Sequence, residues 1–150
     1  MKVIYHCFGG SHSSVTAASI HLGILPTDSV PDTHQLLSLP YYDKTPGNEY
    51  GRIRFVGVCS DGHQVYVLGK ENLGDRMNEI FHEIARLLDL DDKYIAVNTM
   101  PNVNIFMMLG GYLSRRLGLV RLGRPILIFG TRLAFPRLVE TVKTTKMKMT

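Results

Sequence analysis

The feature that most constrains this chain stands at its start. An apolar, β-branched and aromatic run over residues 2–8 breaks into Gly9-Gly10-Ser11-His12-Ser13-Ser14. The chain then resumes as a small-residue segment, 15–22, that ends at Gly23. The run reads as a buried strand and the segment as a helix closed by glycine. A strand, a Gly/Ser loop and a helix N-terminus in succession can hold an anion. The helix end presents unpaired N–H groups and a partial positive charge. Gly9 and Gly10 let the backbone curl its amides inward. Ser11, Ser13 and Ser14 add hydroxyl donors, and a protonated His12 adds charge. The plainer alternative is a tight turn at Gly9-Gly10, with Ser13 or Ser14 merely capping the helix. Anion binding is the preferred reading.

The rest of the chain supplies partners for that strand. Residues 26–51 carry Pro26, Pro31, Pro40 and Pro46 among polar residues. They read as an irregular excursion or lid with a short helix near 34–39. Residues 53–59 and 64–68 are strand-like runs joined by Ser60-Asp61-Gly62-His63, a hairpin signal. Asp75 stands where it can cap a helix whose apolar stripe is Met77, Ile80, Phe81, Ile84, Leu87 and Leu88. Residues 94–97 read as a strand ending at Asn98-Thr99-Met100-Pro101-Asn102, followed by a helix closing at Gly118. Residues 125–129 read as a further buried strand ending at Gly130-Thr131-Arg132. A last helix precedes a basic tail, 143–150, expected to fray.

Strands alternating with helices imply a three-layer α/β sandwich with a mainly parallel sheet plus one antiparallel hairpin. Neither flank of the excursion can complete a sheet alone, so residues 1–150 are expected to form one domain. Ligands collect beyond the carboxyl ends of parallel strands. That rule gathers the loop after the first strand, residues 98–102 and Gly130 to Arg132 as walls of one site, with Arg132 as a further anion ligand.

Composition narrows the partners. A formal charge of +4 suits acidic small molecules as well as polynucleotides. No aromatic-interleaved basic strand or helix-turn-helix pattern accompanies it, so nucleic acid is disfavoured. No apolar run approaches the roughly 18 residues that span a bilayer, and no membrane role is expected. The two cysteines, Cys7 and Cys59, are far apart and read as free thiols of a reducing compartment, with the cytoplasm as default address.

Two phosphate loops can be laid on residues 6–14. Against the Walker A pattern, both glycines and the lysine are missing, so ordinary nucleotide hydrolysis is disfavoured. Cys7-Phe8-Gly9-Gly10-Ser11-His12-Ser13-Ser14 resembles the Cys-x5-Arg-Ser/Thr loop of low-molecular-weight protein tyrosine phosphatases. That resemblance implies Cys7 as nucleophile and Ser14 as its assisting hydroxyl. Ser13 stands where the family has its phosphate-clamping arginine, and serine cannot replace bidentate recognition. The aspartic acid that protonates the leaving group has no counterpart in residues 98–102 or 130–132; Asp32 and Asp43 lie in the excursion. Arg132 or Arg116 would have to reach in from elsewhere.

The opening motif, continued by Val15-Thr16-Ala17-Ala18, also resembles a bacterial family of similar short proteins catalogued as a domain of unknown function. Leu109-Gly110-Gly111 and the Gly130 turn belong to the same likeness, which implies no activity. Three readings follow. The first expectation is a binding or regulatory module for a phosphorylated small molecule or other anion. The alternatives are a phosphotransfer or ester-hydrolase enzyme using Cys7, His12 and Ser14, and a Cys/His metal or redox protein. For the last, Cys59-x3-His63 brackets the hairpin turn and would have to converge with Cys7 and His12. No CxxC or HExxH spacing supports it, Cys59 fits equally a small buried hydrophobe, and no cofactor motif is present.

Overall fold

The computed structural model describes residues 1–45, 49–90 and 93–149. Pro46 of the excursion and Thr150 of the tail lie outside them. Four strands form one sheet in the order β2-β3-β1-β4. These are β1 (Lys2–Cys7), β2 (Ile53–Val58), β3 (Gln64–Gly69) and β4 (Tyr94–Asn98). β1 sits centrally and pairs in parallel with β3 and with β4, setting Val3 opposite Val65 and Ile95. β2 closes the edge antiparallel to β3, with a bulge between Phe55 and Gly57. The hairpin and the mainly parallel sheet match the expectation.

Five α-helices accompany the sheet: α1 (Ser13–His21), α2 (Thr33–Ser38), α3 (Arg76–Leu87), α4 (Ile105–Gly111) and α5 (Val120–Lys148). Alternation along β1 assigns the layers. Val3 and Tyr5 pack with α1, α4 and α5 in the main core, while Ile4 packs with Leu68 and Met77 beneath α3. α1 is buried along its whole length, which explains its small residues. A helix enclosed on all sides needs no polar face, and its hydroxyls bond within the chain, Ser19 to the Val15 carbonyl and Thr16 to that of His12.

Residues 125–129 are not a strand. They lie inside α5, whose buried side chains Leu127, Ile128, Thr131, Ala134, Phe135, Leu138, Val139 and Val142 recur every three to four residues. A short apolar run cannot by itself distinguish a buried strand from a buried helix; the period emerges only over the longer window. Pro125 and Pro136 each withhold one N–H from the helix without ending it. The tail is corrected for the same reason. α5 continues through Lys148 because Thr145 is buried and keeps that turn on the core. Asp75 does precede α3, but its carboxylate accepts from Asn98 instead of capping the helix. Asp32 is the true cap, in a reciprocal bond pair with Gln35 at α2.

Two histidines are buried under the sheet and helices. His6 donates to Asn78 at 2.6 Å, and His21 shares a 2.7 Å hydrogen bond with Tyr5. Burial pushes each imidazole down to about 4, with Lys70 adding to the effect at His6 and Lys146 at His21. The unfolded chain takes up these protons near 6.5 and the native state only near 4, so stability holds above pH 6.5 and falls between those limits. The expected loss is on the order of 3 kcal/mol for each histidine. Urea titrations at pH 7.5 and 4.5 check this, and equal midpoints would contradict it.

Candidate functional site

The carboxyl end of β1 lies at the point where the sheet order reverses, between β3 and β4, which is where open α/β sheets hold their ligands. Three strand ends meet the loop there. Lys70 N–H donates to the Cys7 carbonyl, Thr99 N–H to the His6 carbonyl, and Phe8 N–H to Met100 Sδ. Gly10 adopts φ +65°, and a Cβ there would stand 2.5 Å from the Gly69 nitrogen. A Cβ on Gly69 would in turn stand 2.8 Å from the Gly9 carbonyl. The loop is pressed against β3 so tightly that only paired glycines permit it.

Cys7 is buried at the base of the loop. Gly10 N–H donates to its sulfur at 3.1 Å, and Ser14 Oγ lies 3.1 Å away on the other side. The residue at the helix cap is His12, and its side chain makes no capping bond. Neither serine caps the helix in its place. Ser13 Oγ pairs with Thr99 Oγ1 at 2.9 Å, and Ser14 Oγ is turned to the cysteine. Among the described residues the amides of Gly9, Ser11, His12, Ser13 and Ser14 therefore donate to no protein acceptor. Positive charge stands behind the loop. Arg54, almost fully buried, donates to the Gly10 carbonyl at 2.7 Å and pairs with Glu49 at 3.2 Å. Arg54 and buried Lys70 are both within electrostatic reach of Cys7, and burial lowers the proton affinity of each.

A cavity of about 380 Å³ opens over the loop. Cys7, Gly9, Ser11, His12 and Ser13 line it, and Arg115 and Arg116 enter its wall from a π-helical turn, Tyr112–Arg116, that links α4 to α5. Single π turns recur at functional sites. Arg116 lies in this cavity wall and Arg132 does not. Arg132 sits on α5 at a separate hollow lined by Thr33, Leu37, Arg121 and Phe129. A place for it in the site needs Gly130 to Arg132 as a loop beyond a strand; on α5 it lines that other hollow instead.

Sequence reasoning missed the residue that organises this wall. Asp43 is fully buried. One carboxylate oxygen meets His12 Nε2 at 3.1 Å and Arg115 Nε at 2.9 Å; the other accepts from Ser114 at 2.6 Å and Arg124 at 2.9 Å. Its own amide donates to the Ser11 carbonyl. Burial alone would raise the Asp43 carboxyl, but the bonds from His12, Ser114 and Arg124 outweigh that and hold it at about 2. Asp43 lies at φ +51° and Tyr41 at φ +66°, two strained turns that swing the carboxylate inward. Tyr42 anchors the segment through a 2.7 Å bond to Thr131. The excursion here is a strap pinned across the loop. An aspartate among prolines and tyrosines carries no local signal for such a role.

Cys59 and His63 do not approach Cys7. They bracket the β2–β3 turn, where Gln64 pairs with Lys2, and the five residue steps from Lys2 to Cys7 span roughly 16 Å. Among the described residues no group of three or more His, Cys, Asp or Glu side chains could hold a metal ion. Also among them, no helix is long and apolar enough to cross a membrane.

Fold and site together define a three-layer α/β protein with a Gly/Ser loop at the switch point of its sheet. The chain belongs to the family described as Protein of unknown function (DUF3189), whose model matches residues 2–147. No curated protein and no solved structure matches it.

Proposed function

We propose that this protein binds a phosphate group, or an oxyanion of similar shape, on the loop from Gly9 to Ser14. One observation carries the reading. The loop amides at the start of α1 have no protein acceptor among the described residues, and they border a cavity with Arg115 and Arg116 in its wall. Open amides at a helix start favour negative charge, and the Arg116 guanidinium adds bidentate recognition. Arg54 and Lys70 behind the loop favour the same sign.

A second reading, phosphoryl transfer through Cys7, is favoured by the sulfur itself. It lines the cavity, accepts the Gly10 N–H and lies 3.1 Å from Ser14 Oγ, the placement of a nucleophile beside an assisting hydroxyl.

The test is thermal unfolding in sodium phosphate against sodium chloride of equal ionic strength. Phosphate at ~100 Kd stabilises by about 2.7 kcal/mol, a rise of roughly 5–10 °C for a domain of this size. Identical melting curves in the two salts would remove the reading. Cys7→Ser then separates binding from chemistry. Any phosphatase activity should disappear while the phosphate shift persists.

A further inference from the structure

We infer that the ligand of this cavity is an amphiphilic phosphate monoester, with its oxyanion on the loop and an apolar body along α4; this rests on the phosphate reading. A volume of about 380 Å³ falls in the range of small-molecule sites, ~300–1,000 Å³, and exceeds what a bare anion fills. Beyond the loop the walls change character. Phe8, Tyr50, Met100, Val103, Met107 and Met108 supply them. Thr45, Glu49 and the hydroxyls of Tyr50 and Tyr112 are the polar groups among these mostly apolar walls, and flexible thioethers adapt to irregular apolar shapes.

The charges in the wall divide the ligand in the same way. Arg115 is committed to Asp43, and Glu49 to Arg52 and Arg54. Arg116 is exposed and makes no ion pair among the described residues. Of Arg115 and Arg116, it is the one left to meet the ligand's oxyanion. No Asp or Glu occurs from Lys93 to Val139, the stretch that forms α4, the π turn and most of α5, so no carboxylate of that stretch opposes it. Met108, 60% exposed, lines the same cavity and offers it an apolar surface.

The experiment is isothermal titration with non-hydrolysable phosphonates: methylphosphonate, n-hexylphosphonate and phenylphosphonate, with n-hexanol as the uncharged control. n-Hexylphosphonate is expected to bind at least ~tenfold more tightly than methylphosphonate, in line with burial of several methylenes. Met108→Gln, at an exposed position, should shrink the hexyl-over-methyl affinity ratio. Arg116→Gln should weaken every phosphonate and leave hexanol unaffected. Equal affinity for the methyl and hexyl compounds would overturn the amphiphile and leave the phosphate reading standing. Hexanol binding without any phosphonate binding, or no binding at all, would overturn both. Vesicles of phosphatidylcholine with phosphatidic acid form a last arm. Binding to them without binding to soluble hexylphosphonate would place recognition at a lipid surface and overturn the cavity assignment.

Discussion

A Gly110→Val variant is expected to lose more than about 4 kcal/mol of stability, the upper end of overpacking costs. α4 and α5 cross with their backbones in contact. A Cβ on Gly110 would stand 2.3 Å from the Leu127 nitrogen and 2.7 Å from the Gly123 carbonyl oxygen. The contact is reciprocal, since a Cβ on Gly123 would stand 2.5 Å from the Ser114 nitrogen. These obstacles are main-chain atoms of helices, which cannot swing aside as a side chain can. The helices must part, taking Met107 and Met108 out of the cavity wall. Urea denaturation measures the loss, and Gly111→Ala is the comparison. At Gly111 the nearest atom to a new Cβ is the His12 ring at 3.0 Å, so the cost should be much smaller. A Gly110→Val protein within 1 kcal/mol of the native one (a small perturbation by the standard of core changes) would mean the helices do not cross this closely.

Removing the Asp43 carboxylate should have the next largest effect. Asp43→Ala leaves His12, Ser114, Arg115 and Arg124 around a vacated position, and breaking a buried ion pair costs about 3–5 kcal/mol. The arginines are a quarter to a third exposed and regain some hydration, which puts the expectation on the order of 3 kcal/mol. Asp43→Asn is the informative companion, because asparagine tolerates the same positive φ and keeps the shape. The pH dependence isolates the charge. Asp43 ionises at about 2 in the folded protein and near 3.9 unfolded. Its stabilisation is therefore complete above pH 4 and disappears as pH falls toward 2. The difference between native protein and Asp43→Asn should shrink over that window. A difference that does not change with pH would show that shape, not charge, holds the strap.

Much of this was legible from local sequence. The strand–loop–helix opening, the Asp61-Gly62 hairpin and the start of α3 each announce themselves within about ten residues, because turn chemistry and short periodicities are local properties. The glycine turn and serine-rich composition of residues 9–14 belong to the same class. α5 was not legible in that way. Pro125 and Gly130 punctuate a run whose helical period shows only when it is followed to Val142. Arg132 joins the site only under that same strand reading, and nothing local to Arg116 marks its place in the cavity wall.

The sequence by itself determined the mainly parallel α/β class, the buried first strand and the loop that follows it, since hydrophobic pattern and glycine placement dictate these directly. Tertiary structure alone decided what surrounds the loop. Asp43 becomes a hub because two left-handed turns and the Tyr42–Thr131 bond carry it 31 residues along the chain to His12. Arg115 and Arg116 reach the cavity because Gly110 and Gly123 let α4 and α5 meet backbone to backbone. Such placements depend on contacts between distant segments, whose energies no short stretch of sequence records.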